Sequence, residues 1–314
     1  MDTNTTTRHT WEFGTDEVPR LRLQARAHHT DVFVRHAAAA GQTKVTLTSE
    51  STIDLSAVDT SAEGREIAVI IPALKPADGA GYGWSFQLGG FTIGSGGSVR
   101  ARIDVLLPEG ADLELTVGGG DIVVDGHSGE LRARTGGGDV RFDDAGDVVI
   151  HTGGGDIRGV RAGDGNLDTG GGDISVESLG EARVHTGGGD VHVGAIASGA
   201  IKTGGGDIHI GRTEGDLTAT TGGGDVRLGS CRGVTEVSTG AGDVSAHVAA
   251  GRWQARTGAG DIIVTVPPGV PVWQDLSSPL GDVTSRIGGR GEPAEGQEHI
   301  EITARTGTGD ISLS

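Results

Sequence analysis

The chain has 314 residues, of which 59 are glycine and only 3% are aromatic, so a globular core built on large side chains is not expected. Its 43 acidic and 25 basic residues give a formal net charge of −18, which would repel a phosphate backbone and argues against nucleic acid as a partner. A single cysteine, Cys231, excludes an internal disulfide framework.

Residues 1–107 show strand-like alternation without a strict repeat, as in RLRLQA at 20–25 and VRARIDV at 99–105. We predict that they form an irregular β cap, which covers apolar ladders and strand edges at the end of a repeat. The segment shows no signal peptide, and its longest apolar run is too short to span a bilayer. We therefore expect a cytoplasmic protein with no membrane insertion, although the sequence leaves a surface location open.

A glycine-rich loop at 77–98 interrupts this region and holds four of the ten aromatic residues: Tyr82, Trp84, Phe86 and Phe91. Two interpretations stay open. The loop is either a contact surface for a partner or a folded-back segment that seals one end of the fold.

Residues 108–266 repeat a glycine run closed by an aspartate, most often as TGGGD. From Asp121 to Asp261 there are eight steps in 140 residues, and every step is 17 or 18 residues. Such a short fixed period predicts an all-β fold, a right-handed β-solenoid with 17–18-residue coils. The motif aspartates are Asp121, Asp139, Asp156, Asp173, Asp190, Asp207, Asp225, Asp243 and Asp261.

Each coil alternates apolar and polar residues on both sides of the glycine run. Counting the threonine before the glycines as position 0, positions −2, +5 and +7 are mostly apolar, while −1 and +6 are mostly polar. We predict that Val184 points inward and His185 outward. Position +10 is small or apolar and includes Cys231 and Ala249, so we expect a buried cysteine rather than a reactive thiol. The glycines are expected to supply positive φ in a tight turn.

The stacked aspartates allow three interpretations. In the structural one, each carboxylate accepts backbone N–H bonds from its own glycine run or from the next coil, and basic residues flank the column. In the second, the column binds calcium, although the motif occurs once per coil and the second bend offers no matching carboxylate. A phosphate cradle is excluded, because a strand rather than a helix follows the glycines. The flanking basic residues are Arg134, Arg141, Arg158, Lys202 and Arg227. The weak calcium candidates are Asp139, Asp156, Asp173, Asp190, Asp207 and Asp225.

Four histidines flank the same turns at positions −1 and +6, namely His151, His185, His192 and His209. Imidazoles in this arrangement could bind a transition metal. The alternative is an outward polar ladder in which histidine alternates with arginine, lysine and threonine. We expect no cofactor.

Residues 267–314 lose the period, with 21 and then 28 residues between the last aspartates, Asp261, Asp282 and Asp310. We predict irregular C-terminal coils and a cap, with a flexible excursion at 288–297. Open solenoid ends would also allow end-to-end self-association.

Three segments carry a resemblance to a known family: LPEGADLELTVGGGD at 107–121, the repeated TGGGD column, and TVPPGV with TGTGD near the C-terminus. They resemble the bacterial putative-adhesin, Toastrack-like family of β-strand repeat proteins, much of it of unknown function. The resemblance implies a right-handed β-solenoid, a role in cell-envelope stress or at the cell surface, and no catalytic residues.

The sequence predicts a non-enzymatic interaction or scaffold protein that binds a protein or polysaccharide partner through its solenoid faces. Two alternatives are a calcium-binding β-roll-like solenoid and a polysaccharide-acting β-helix enzyme. Catalysis would need a local cluster of acid and base, whereas Asp and Arg are spread evenly over the coils.

Overall fold

The computed structural model describes residues 6–26, 29–37, 41–73, 100–287 and 299–314, and the backbone of 85–88 and 91–94. The chain divides into two compact units, Met1–Arg158 and Gly159–Ser314, which are taken separately below. Every regular element in the described ranges is a β-strand, so the predicted all-β class is confirmed. No helix of the length and apolarity needed to cross a membrane occurs in these ranges.

The described residues of the first unit contain twelve complete strands. They are β1 (Thr7–Gly14), β2 (Arg20–Ala25), β3 (His29–His36), β4 (Gln42–Ser49), β5 (Asp59–Glu63), β6 (Glu66–Ile71), β7 (Ser85–Leu88), β8 (Phe91–Gly94), β9 (Arg100–Leu107), β10 (Asp112–Val117), β11 (Ile122–Thr135) and β12 (Val140–Thr152).

Two strand series build the first unit. One runs β5–β6–β2–β10–β11–β12, and the other runs β1–β4–β9–β3–β11–β12. The long strand β11 belongs to both series, and its pairing with β12 shifts register between Val124 and His127. Pairing is parallel except at the outer ends, where β5 pairs with β6 and β4 pairs with β1 and β9 in antiparallel fashion. Antiparallel pairing therefore occurs at the start of each series.

The second unit continues from β13 (Ile157–Ala162), which crosses the boundary between the units. Its further strands are β14 (Gly165–Thr169), β15 (Ile174–Thr186), β16 (Val191–Thr203), β17 (Ile208–Thr213), β18 (Leu217–Thr221), β19 (Val226–Cys231), β20 (Val234–Thr239), β21 (Val244–Val248), β22 (Arg252–Ala259), β23 (Ile262–Thr265), β24 (Val272–Ser277), β25 (Val283–Ser285), β26 (Ile300–Thr308) and β27 (Ile311–Leu313).

Parallel pairing stacks these strands coil upon coil. Before the turns the order is β14–β15–β16–β18–β20–β22–β26–β24. After the turns it is β15–β16–β17–β19–β21–β23–β27–β25. Inward positions face their equivalents in the next coil, as Val184 pairs with Ile201 and Ile201 with Ala219, and all three are buried. The predicted alternation is therefore confirmed, and His185 is exposed.

The last coils do not stack in chain order. The C-terminal strands β26 and β27 lie between the β22–β23 coil and the β24–β25 coil. The altered aspartate spacing indicates an irregularity near the C-terminus but does not predict which coil lies outermost.

The interior accepts two large rings despite its small side chains. Trp253 and Phe142 are 0% and 1% exposed. In its own unit, Trp253 pairs with Thr235 on one side and Ile302 on the other. The scarcity of aromatic residues therefore reflects a preference and not a strict limit on ring size.

Cys231 is buried as predicted, and burial raises the pKa of its thiol to about 12, which makes it unreactive at neutral pH. The predicted register one coil later is wrong. Cys231 pairs with Val248 after a register shift, and Ala249 is only half-buried.

Candidate functional site

The threonine at position 0 joins two successive turns. Thr203 donates its hydroxyl hydrogen to the carbonyl oxygen of Gly189 in the preceding coil at 2.8 Å, and its Oγ1 accepts the N–H of Gly206 in its own turn at 3.2 Å. The same two bonds form at Thr186, Thr221 and Thr239, and Ser278 forms them in the outermost coil. These hydroxyls are buried or half-buried and each satisfies one donor and one acceptor of the turn backbone. The sequence showed the threonine repeat without indicating this role.

The outer two glycines of the turns are required by the closeness of the coils. A Cβ atom on Gly187 or Gly189 would lie 2.1 Å from a carbonyl oxygen of the preceding turn, whereas one on Gly188 would have no atom within 4 Å. The predicted positive φ occurs only at the last glycine of three turns, Gly120, Gly260 and Gly309, with φ of 156°, 149° and 157°. The motif turns at 187–189, 204–206, 222–224 and 240–242 have none, so positive φ does not explain the motif as a whole. The middle position accordingly becomes Ala241, Ala259 and Thr308 in later coils.

The carboxylates of successive motif aspartates accept backbone N–H bonds from the neighbouring coil. The N–H of Asp207 donates to Oδ1 of Asp190 at 2.8 Å, and the N–H of Asp225 donates to Oδ1 of Asp207 at the same distance. This is one of the two bonding patterns that the structural interpretation proposed. In the first unit the series begins earlier than the repeat does, because Asp31 accepts the N–H of Asp121. The second-unit series comprises Asp173, Asp190, Asp207, Asp225, Asp243, Asp261, Asp310 and Asp282, in that spatial order.

Arginines at position +6 bridge successive carboxylates. Arg227 lies 2.8 Å from Oδ2 of Asp225 and 3.6 Å from Oδ2 of Asp207. In the first unit, Arg158 lies 2.7 Å from Asp156 and 3.7 Å from Asp139. The predicted charge compensation therefore comes from the +6 row, with the guanidinium groups about half-exposed.

A second corner carries carboxylates that the sequence analysis overlooked. Asp216 accepts the N–H of Val234 at 2.9 Å, and Asp164 accepts the N–H of Glu181 at 3.1 Å. In the first unit, Asp112 accepts the N–H of Glu130 at 2.9 Å. Our statement that the second bend lacks a matching carboxylate was therefore wrong. Single Gly-Asp or Gly-Glu pairs, such as those at 215–216 and 180–181, are too short to form a recognisable motif.

Of the four predicted histidines, the structure stacks two. The rings of His192 and His209 are parallel, with centroids 4.8 Å apart and an interplanar angle of 2°. Burial lowers the pKa of His209, and the nearby His192 and Arg227 lower it further, which favours the neutral form of the ring. His185 lies on the strand before the turn, in register with Lys202, and His151 belongs to the first unit. Within the described ranges, no three His, Cys, Asp or Glu side chains are placed to hold a metal ion.

Beside the stacked histidines runs a row without side chains. Gly194, Gly211 and Gly229 follow one another in successive coils at position +8. A Cβ atom at each would lie 2.4–2.5 Å from a carbonyl oxygen of the preceding coil. The result is a strip of bare backbone bordered by His192 and His209.

The side chains of the four predicted aromatic contact residues lie outside the described part of the chain. Tyr82 and Trp84 lie outside the described residues, as does the segment 288–297. Phe86 and Phe91 belong to strands β7 and β8, which pair antiparallel, and their side chains are likewise outside the description.

Comparison with known proteins identifies the family. Two solved structures are similar to this chain over nearly the whole of both chains: a putative adhesin from Parabacteroides distasonis (11% identity, 98% of this chain and 97% of that chain, TM-score 0.40) and one from Bacteroides fragilis (13%, 99% and 99%, 0.33). A third, from Parabacteroides distasonis, is named a putative lipid binding protein (12%, 98% and 96%, 0.34). No curated protein matches. The family model Toastrack DUF4097 matches residues 22–257, and the chain therefore belongs to the Toastrack family.

Proposed function

We propose that this protein is a non-enzymatic binding protein that presents rows of outward side chains to a protein or polymer partner. The observation that carries the proposal is that turn residues and outward residues have different roles in the second unit. Thr, Gly and Asp of the turns bind neighbouring coils, while the −1 and +6 rows point outward. Identical positions recur once per coil, at the ~4.8 Å spacing of paired strands, which suits an extended partner lying along the stack.

The strip formed by His192, His209, Arg227 and the glycine row is our candidate contact surface. Stacked imidazoles offer flat faces, and the bare backbone beside them lets a partner approach closely. The names of the solved adhesins agree with a binding role but carry no argument at these TM-scores.

Binding to immobilised bacterial surface polysaccharides tests the proposal. The triple variant His192→Ala, His209→Ala, Arg227→Ala should lose binding that the wild type shows. The triple variant Arg183→Ala, His185→Ala, Lys202→Ala, on the strands before the turn, is the control. The proposal fails if the wild-type protein retains no polysaccharide and chemical cross-linking captures no protein partner.

We further propose that the aspartate column is structural rather than ion-binding. One oxygen of each bonded carboxylate already accepts a backbone N–H, and Arg158 and Arg227 compensate the charge. The melting temperature should be the same in EDTA and in millimolar calcium. A large rise with calcium would restore the β-roll alternative.

A further inference from the structure

The outer face of the β1–β4–β9–β3 sheet in the first unit holds a cationic depression. A cavity of about 250 Å³ there is lined by Arg8 of β1, Lys44 and Thr46 of β4, and Arg35 of β3. Strand register explains the convergence, because Lys44 and Arg35 pair with Leu106 from its two sides. Three cations therefore border one depression on a chain whose formal charge is −18.

The neighbouring acids are already engaged, so the depression keeps a positive charge. Asp104 accepts hydrogen bonds from Arg102 at 2.8 and 3.0 Å, and Glu12 lies 2.7 Å from the Nζ of Lys44. Arg8 and Arg35 have no side-chain hydrogen bond or ion pair with any residue in the described ranges. Two guanidinium groups are therefore free to bind an anion, for which their planar donor geometry is suited.

A second cavity, of about 500 Å³, adjoins the first at Lys44 and Leu106. Phe13, Ala37 and Leu106 supply apolar wall, and the polar residues Glu12, Gln42 and Thr43 line the same space. Thr43 and Lys44 are consecutive residues of β4, and Thr43 is buried while Lys44 is exposed. The Thr43 hydroxyl therefore faces away from the cationic depression and takes no part in binding the head group.

We propose that the two adjoining cavities form one site for a single-chain anionic amphiphile. Its phosphate or carboxylate head is held by Arg8, Arg35 and Lys44, and its apolar chain lies against Ala37 and Leu106. The second cavity has the size of ordinary small-ligand sites, and polar groups at one end fix the orientation of the ligand. This site lies in the first unit and is independent of the contact surface proposed above.

Calorimetry with the full chain and dodecyl phosphate tests the site. We expect saturable binding at one site, and the double variant Arg8→Gln, Arg35→Gln should weaken it at least about tenfold because charge-assisted hydrogen bonds are lost. Arg141→Gln, an exposed arginine outside both cavities, is the matched control and should bind as the wild type does. Glu12→Gln should bind more tightly, because Lys44 is released from its ion pair.

Further ligands distinguish a bound amphiphile from a free phosphate ion and from a membrane surface. Dodecanol should bind far more weakly than dodecyl phosphate, and inorganic phosphate should bind far more weakly as well. Equal affinity for inorganic phosphate would overturn the proposal, since the apolar cavity would then contribute nothing. Binding to phosphatidylglycerol vesicles without binding of monomeric dodecyl phosphate would overturn it in favour of a membrane surface. An Arg8→Gln, Arg35→Gln variant that is folded by circular dichroism and binds normally would also overturn it.

Discussion

In the second unit, Thr203, Gly206 and Asp207 each contact the backbone of a neighbouring coil, whereas Arg8 and Arg35 on the outer face of the first unit pair with no described side chain. The first set recurs with the period of the chain, and the second set occurs once. The contrast teaches that repetition in this chain marks residues that hold the stack together. The anion site proposed in the first unit is instead built from residues that do not repeat.

The largest test of this contrast places a charge inside the stack. Val184→Asp should destabilise the second unit by about 4 kcal/mol or more, because an unpaired carboxylate would be buried against Ile201. The adjacent His185→Asp should change stability by less than about 0.5 kcal/mol, since His185 is exposed. Urea unfolding measures both, and equal damage from the two changes would refute the inward and outward assignment.

The second test compares neighbouring glycines. Gly189→Ala should cost about 1–3 kcal/mol, because its Cβ atom would lie 2.1 Å from the carbonyl oxygen of Gly172. Gly188→Ala should be neutral or slightly stabilising, since the middle position is open. Chemical denaturation of the two variants decides the matter. If Gly188→Ala were the more harmful change, conformation rather than coil spacing would explain the motif.

The third test removes a hydroxyl. Thr203→Val should cost about 1–3 kcal/mol, because the N–H of Gly206 and the carbonyl of Gly189 would both lose a partner. Thr218→Val, at an exposed position of the same unit, provides the matched control. Hydrogen exchange of the Gly206 amide should accelerate only in the first variant. Unchanged exchange there would show that the hydroxyl bridge is unimportant.

The fourth test uses pH in the first unit. His36 is buried between the carbonyl oxygen of Pro108 and the hydroxyl of Ser128, both 2.9 Å from its ring nitrogens. Burial lowers the pKa of His36 below its usual 6.5, although the Pro108 carbonyl and Glu109 act in the opposite direction. As pH falls, His36 therefore takes up a proton in the unfolded chain before it does so in the folded one. Its contribution to the free energy of unfolding is complete above pH 6.5 and is lost below it.

Hydrogen exchange of the Gly129 amide, which binds the Ala111 carbonyl, should report this loss between pH 7 and pH 5. His36→Gln should flatten the pH dependence, whereas His185→Gln in the second unit should leave it unchanged. A His36→Gln variant with the full pH dependence would assign the effect to other groups.

The smallest expected effect concerns the arginine bridges. Arg227→Ala should cost less than about 1 kcal/mol, because its ion pairs with Asp207 and Asp225 are half-exposed. The loss should shrink further in 0.5 M salt. A loss of several kcal/mol at low salt that disappears in 0.5 M salt would mean that carboxylate repulsion governs the column, and a salt-independent loss would assign the effect to packing.

Sequence reasoning predicts the repeating part of the fold well, because the strand period and the coil period act at every residue. The inward row through Val184 follows from spacing alone, and the aspartate bonds through Asp207 are one of the two backbone patterns that the structural interpretation proposed. The role of Thr203 does not, because a hydroxyl's partners depend on how closely two turns approach. The antiparallel pairing of β4 with β9 could not be predicted either, since the residue pattern of one strand does not identify the strand with which it pairs.

The candidate sites show the same limit. His192 and His209 stand out because they occupy one repeat position, and the structure stacks them. Arg8, Arg35 and Lys44 lie far apart in the chain and share no motif, so only the strand register brings them together. Sites assembled from unrelated segments leave no periodic signal in the sequence.

The stacking order at the end of the second unit constrains how the chain is made. Strands β24 and β25 find their only described neighbours in β26 and β27, which the ribosome delivers later. Earlier coils can each pair with a preceding coil as they emerge, whereas residues 272–285 gain their described strand partners only after residues 300–313 have been made. The outermost described coil of this unit is therefore not the last one that the ribosome releases.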